Sequence, residues 1–122
     1  MSLPANPNSN IRQSLEDYSA AAVTTGTAKR EWTVLYGGRV VAHARAEAAG
    51  SGTGSTKIDV NVNGTSILAR VLEKTSTSGQ FSNGEPASGA SCRPGDVISY
   101  DIDAIGQTAH TRVSVAIAVV AP

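Results

Sequence analysis

The chain has 122 residues, with ten Lys+Arg balanced by ten Asp+Glu and a single Cys; 40% of the residues are hydrophobic and only 4% aromatic. That length suits one domain of ordinary size. Zero formal charge excludes a nucleic-acid binder that works by counterion release, and one Cys excludes an intramolecular disulfide framework.

The N-terminal stretch MSLPANPNSN has no basic n-region and no apolar core, so no signal peptide is expected. No apolar run approaches the roughly 20 residues that span a bilayer. Met1–Asn10 is rich in Pro, Asn and Ser, residues that favour extended and turn geometry. Residues 1–28 read as an extended N-terminal arm, and residues 29–122 as the folded domain. Within the arm, Ile11–Ala22 reads either as a short helix, capped by Asn10 and spaced by Ile11, Leu15 and Tyr18, or as an unstructured leader.

From Lys29 onward the hydrophobic period is two. Trp32, Val34 and Tyr36 alternate with Thr33 and Leu35 and read as core positions, and Gly37-Gly38 reads as a turn between two strands. Arg39–Ala48 has good helix formers, yet Val40, Ala42, Ala44, Ala46 and Ala48 alternate against a polar set, which predicts a strand. GSGTGS at 50–55 reads as a flexible loop. Lys57–Val62 alternates strictly and runs into Asn63-Gly64, a dipeptide suited to a type I′ turn; Ile67, Ala69 and Val71 are expected on the return strand.

Glu73–Arg93 is polar, with room for one short strand near Gly79–Ser82 that carries Phe81. Arg93-Pro94-Gly95-Asp96 is a turn. After it Ile98, Tyr100, Ile102 and Ala104 oppose Ser99, Asp101 and Asp103. The last strand, about Thr111–Val119, turns Val113, Val115, Ile117 and Val119 inward. Its other face carries Ala116, Ala118 and Val120, and a strand apolar on both faces is normally covered on both. The expected fold is therefore an all-β, antiparallel β-sandwich or jelly-roll-like domain with an N-terminal arm.

No catalytic constellation stands out, so the chain is read as non-enzymatic, with no cofactor and no metal. Cys92 has a neighbouring cation, Arg93, but no local thiol-catalysis motif, and reads as a passive small residue. Asp101 and Asp103 share a strand face and could recruit a cation, but six to eight oxygens are usual for calcium; a solvated acidic face explains them equally. His43 and His110 read as surface or interface residues. The scarcity of aromatic side chains points to a core that draws stability from a partner. Candidate interface residues are Leu3, Pro4, Ile11, Leu15 and Tyr18 on the N-terminal segment, with Ala116, Ala118 and Val120 on the last strand.

IDVNVNGTSIL (58–68), RPGDVISYDIDAIG (93–106) and VSVAIAV (113–119), preceded by VLYGGRVVAHARAEA (34–48), together resemble a class of small structural proteins of tailed-bacteriophage virions. The resemblance runs from about Trp32 to Val119. It implies a compact β-sandwich used in capsid decoration (cement) proteins, head fibres or tail-fibre components, commonly as trimers. It implies no catalytic residue. The expected function is a cement protein that binds the major capsid protein on the outer surface of the head and stabilises the shell. It would be made in the host cytoplasm, associate with itself as a homotrimer, and bind neither nucleic acid nor membrane. The alternative is a receptor- or glycan-binding module of a tail or head fibre.

Overall fold

The computed structural model describes residues 10–122, all of them in strands or connecting turns and loops. Eleven strands run in chain order: β1 (Ile11–Ser19), β2 (Gly26–Thr33), β3 (Gly38–Ala48), β4 (Thr56–Val62), β5 (Thr65–Ser66), β6 (Leu72–Lys74), β7 (Gly79–Gln80), β8 (Ser82–Asn83), β9 (Ser91–Cys92), β10 (Val97–Ala104) and β11 (Thr111–Val120). They form two antiparallel sheets. Sheet I has the order β1-β11-β3-β7, with β9 on the other end of β3; sheet II has the order β2-β10-β4-β6-β8, with β5 on the far end of β4. The two sheets pack as a β-sandwich. From β1 to β4 the chain changes sheet at every connection.

The inward faces follow the period-two pattern. Val40, Ala42, Ala44 and Ala46 of β3 and Val113, Val115, Ile117 and Val119 of β11 are buried against Ile58 and Val60 of β4 and Ile98, Tyr100 and Ile102 of β10. For Arg39–Ala48, pairing to β11 over nine residues overrides the helix propensity of its Ala, Arg and Glu. At Asn63-Gly64 both residues have positive φ, 51° and 81°, as a type I′ turn requires. The turn is locked to the Arg93–Asp96 turn. The Asn63 side-chain amide donates to Asp96 Oδ1 at 3.0 Å, and its carbonyl accepts Val97 N at 2.9 Å.

Four expectations change. Ile11–Ser19 is a strand, paired to β11 from Ile11↔Val120 to Ser19↔Val113, and not a helix. Its alternation is hidden because two inward positions are polar and have dedicated partners. Gln13 Oε1 accepts Leu35 N at 2.9 Å, and Asp17 Oδ2 accepts the Tyr100 hydroxyl at 2.6 Å. The boundary drawn between Ala28 and Lys29 falls inside β2, and residues 10–28 contribute to both sheets. Gly37-Gly38 closes no hairpin, because β2 and β3 lie in different sheets. A Cβ on Gly38 would run into the carbonyl of Val120, which explains a glycine there. Finally, the return strand after Asn63-Gly64 stops at Ser66. Ile67 and Leu68 turn into the core, and the following backbone bonds to Glu85 and Ala87 before β6 rejoins β4.

The polar 73–93 stretch carries the side of the sandwich away from β1 and β2. β7 pairs with β3 in sheet I and β8 with β6 in sheet II, and between them the buried Phe81 donates its N–H to Ala44 O at 2.9 Å. The chain thus crosses between sheets at Phe81. The loop at 50–55 is tied to Gln107 and Thr108: Gln107 N donates to Thr53 O at 3.0 Å and Thr53 N to Gln107 Oε1 at 3.0 Å.

Candidate interaction surface

Alternation that fills the core from one side of each strand leaves two outer faces. On sheet I, β11 presents Ser114, Ala116 and Ala118, half-buried on a floor of small side chains. The flanking strands stand higher. β1 presents Ser14, Glu16 and Tyr18, and β3 presents Val41, His43 and Arg45. Two concavities result. One, about 530 Å³, is lined by Glu16, Tyr18, Ser114 and Ala116 and closed at the sheet edge by Arg30. The other, about 160 Å³, is lined by His43, Arg45, Gln80, Ser114 and Ala116. Among the described residues, the side chains of Glu16, Tyr18, His43 and Arg45 make no hydrogen bond or ion pair.

On sheet II the outer polar groups bond to one another. Asp101 accepts Ala28 N at 2.7 Å through Oδ1 and Asn61 Nδ2 at 2.9 Å through Oδ2. Asp59, directly opposite Asp101, accepts its neighbour Val60 N at 2.9 Å and Ser66 Oγ at 2.7 Å. Burial, then the charges of Asp59 and Asp101, push the Asp103 carboxyl above its usual range. Asp59 and Asp101 are hydrogen-bond acceptors within the fold, and among the described residues no group of three metal-ligating side chains could hold an ion.

A third surface lies at the end of the sandwich where β1 begins. Arg12 Nη1 donates to Gly37 O at 2.8 Å and Gln13 holds Leu35 N, so the start of β1 and the β2–β3 connection sit together. Three large apolar side chains are exposed there: Ile11 at 39%, Leu35 at 69% and Tyr36 at 52%. Tyr36 was expected in the core; the sheet change after Thr33 places it on this turn instead. Its carbonyl accepts the Cys92 thiol at 3.7 Å. Burial pushes the Cys92 thiol up from its usual value, away from the thiolate that a nucleophile needs.

The candidate interface residues divide. Leu3 and Pro4 lie outside the described residues. Ile11 is exposed at the apolar end, Tyr18 is 54% exposed on the outside of sheet I, and Ala116 and Ala118 form its floor. Leu15 and Val120 are buried within the chain itself, Leu15 because it lies opposite Ile117 on the inner face. His43 is exposed, whereas His110 is buried between the sheets. Its Nδ1 lies 2.8 Å from Thr56 Oγ1, and its Nε2 lies 2.8 and 3.0 Å from the carbonyls of Thr75 and Thr77. Two carbonyl acceptors place a proton on Nε2, and Nδ1 pairs with the Thr56 hydroxyl. Leu35 and Arg45 were not among the candidate interface residues. Leu35 is marked only by the neighbouring Gly-Gly, and Arg45 by its place on the polar side of β3.

No family model, no curated protein and no solved structure matches this chain.

Proposed function

We propose that this protein is a non-enzymatic virion component that binds the outer surface of a tailed-phage head and stabilises the shell. The observation that carries the reading is the apolar end. Ile11, Leu35 and Tyr36 stand exposed beside the point where residues 1–9 join β1. A cluster of exposed apolar and aromatic side chains on a small domain is the usual composition of an interface centre. The preceding nine residues can reach about 30 Å if extended, far enough to lie across a neighbouring capsid subunit. The likeness of the Asn63-Gly64 hairpin and the Arg93–Asp96 turn to virion modules supports the same reading. A clamp of this kind needs no catalytic group, only surface that bridges adjacent capsomers.

The test is co-sedimentation of the purified protein with heads of the phage that encodes it, with the heat resistance of those heads read in parallel. Saturable binding and a raised disruption temperature are expected. Removing residues 1–9 or changing Leu35 and Tyr36 to Ser is expected to weaken binding at least tenfold. Heads that bind no protein, or that bind both variants like the parent, overturn the reading.

A second reading, a glycan-binding module of a fibre, is favoured by one feature. The exposed Tyr18 ring stands beside Glu16 and Arg30 at the larger concavity, a ring to stack on a sugar face with polar groups next to it. A glycan array separates the two readings: specific, Tyr18-dependent retention supports the fibre module, and no retention removes it.

A further inference from the structure

We propose that two copies of this chain associate face to face through the outside of sheet I, about a two-fold axis that runs along β11. The inference concerns the isolated chain and holds whether or not a shell is its target.

The register of the sheet defines rows across this face. Glu16, Ala116 and His43 form one row; Tyr18, Ser114 and Arg45 form the next; Ser14, Ala118 and Val41 form a third. In the first two rows the ends differ in chemistry and the middle is small. A carboxylate faces an imidazole across Ala116, and a phenol ring faces a guanidinium across Ser114. The ends lie about 10 Å apart, two strand spacings, too far for direct pairing at the backbone level.

A two-fold axis along the central strand exchanges the β1 and β3 sides and keeps every row at its own level. It sets Glu16 of one copy over His43 of the other, one step from Arg45. It sets the Tyr18 ring against Arg45 of the other copy, a cation–π contact that gains strength as water leaves. Each contact occurs twice, as an isologous interface demands. The alternative two-fold, across the strands, lays β1 on β1 and β3 on β3. It therefore brings Glu16 near Glu16 of the other copy and keeps Tyr18 and Arg45 apart. Charge pattern thus chooses the first axis.

The floor makes the contact close. Ala116, Ala118 and Ser114 leave depth for the long side chains of the second copy, and the two concavities flanking β11 are the space those side chains fill. Aligned face-to-face packing of twisted sheets is a common arrangement. The outside of sheet II offers no equal partner, because Asp59, Asn61 and Asp101 already bond within the fold. A two-fold contact replaces the three-fold arrangement that the resemblance implies.

The test is the solution mass of the full chain by sedimentation equilibrium, expected at twice the 12.4 kDa of one chain. Glu16→Arg and His43→Glu, made singly, are each expected to weaken the dimer about tenfold or more, the effect of some 1.4 kcal/mol. The double variant restores opposite charge across the axis and is expected to recover most of the lost affinity. These side chains are exposed, so thermal unfolding and near-ultraviolet circular dichroism should leave the monomer fold unchanged in all three. A parent that is monomeric at tens of micromolar, a trimeric mass, or a double variant no better than either single one overturns the proposal.

Discussion

The outsides of the two sheets are built on the same alternation and end up chemically opposite. On sheet II the polar side chains are spent on each other: Asp101 ties Ala28 and Asn61, and Asp59 ties Ser66. On sheet I the corresponding side chains stand apart across a floor of Ala and Ser. An outer face whose donors and acceptors are matched internally is complete, whereas one whose charged groups are held out of reach of each other is suited to a partner.

The largest expected effect tests whether that contrast is confined to the outsides. Ile58 lies under sheet II and Ile117 under sheet I, and both are fully buried in one shared core. Ile58→Ala and Ile117→Ala should each cost about 2–5 kcal/mol by denaturant unfolding. A loss under 1 kcal/mol at either position would show that the two sheets do not share the core.

A smaller effect separates the faces directly. Asp101→Ala strips the acceptor from Ala28 N and Asn61 Nδ2 and should cost about 1–3 kcal/mol. Glu16→Ala, on the outside of sheet I, should stay within about 0.5 kcal/mol for the monomer. Equal losses would erase the distinction.

The smallest effects appear with pH. Hydrogen bonds from Asn63 and from the Arg93 backbone hold the Asp96 carboxyl below the usual range. Its contribution is present above the unfolded-state value and is lost as pH falls through the folded one. Asp103 has the opposite sign. Its raised carboxyl binds its proton more readily in the folded state, so it costs stability above its folded value and relaxes as pH falls. Asp103→Asn should therefore stabilise by a few tenths of a kcal/mol at neutral pH, with the gain fading in acid. A gain that grows in acid would contradict this sign. Asp96→Asn should shift stability the other way, losing most at neutral pH, as thermal melts across pH can show.

Much of the fold was legible because its long strands carry strict alternation with marked turns. Ile58, Val60, Ile98, Tyr100, Ile102 and Val113, Val115 and Val119 of β11 lie where the period-two pattern puts them, and Asn63-Gly64 turns as its residues require. What escaped has specific causes. β1 hides its period because Gln13 and Asp17 point inward and are satisfied by Leu35 N and Tyr100, partners 22 and 83 residues away. Gly37-Gly38 reads as a hairpin by local chemistry, but whether two strands pair or part into separate sheets is decided by the rest of the chain. His110 is polar by composition and buried in fact, because Thr56, Thr75 and Thr77 match its ring nitrogens. Of the interaction surface, Ala116 and Ala118 were readable from the apolar far side of the last strand, and Tyr18 as a candidate on the N-terminal segment. His43 was readable as a surface or interface residue, but its place and that of Arg45 opposite Glu16 and Tyr18 was not, since those lie two strands away.

The crossing at Phe81 also determines how the molecule can open. On that side one covalent chain belongs to both sheets within five residues, from Gly79 to Asn83. On the opposite side the edge strand β1 is joined across the gap to β2 by the Arg30–Asp17 pair at 3.3 Å and to β10 by the Tyr100–Asp17 hydrogen bond. The sandwich is bound like a book, with its spine at Phe81 and a clasp at Asp17. Backbone amides of β1 should then exchange with solvent before those of β7 and β8, and releasing the clasp with Asp17→Ala should speed exchange in β1 while leaving the spine protected.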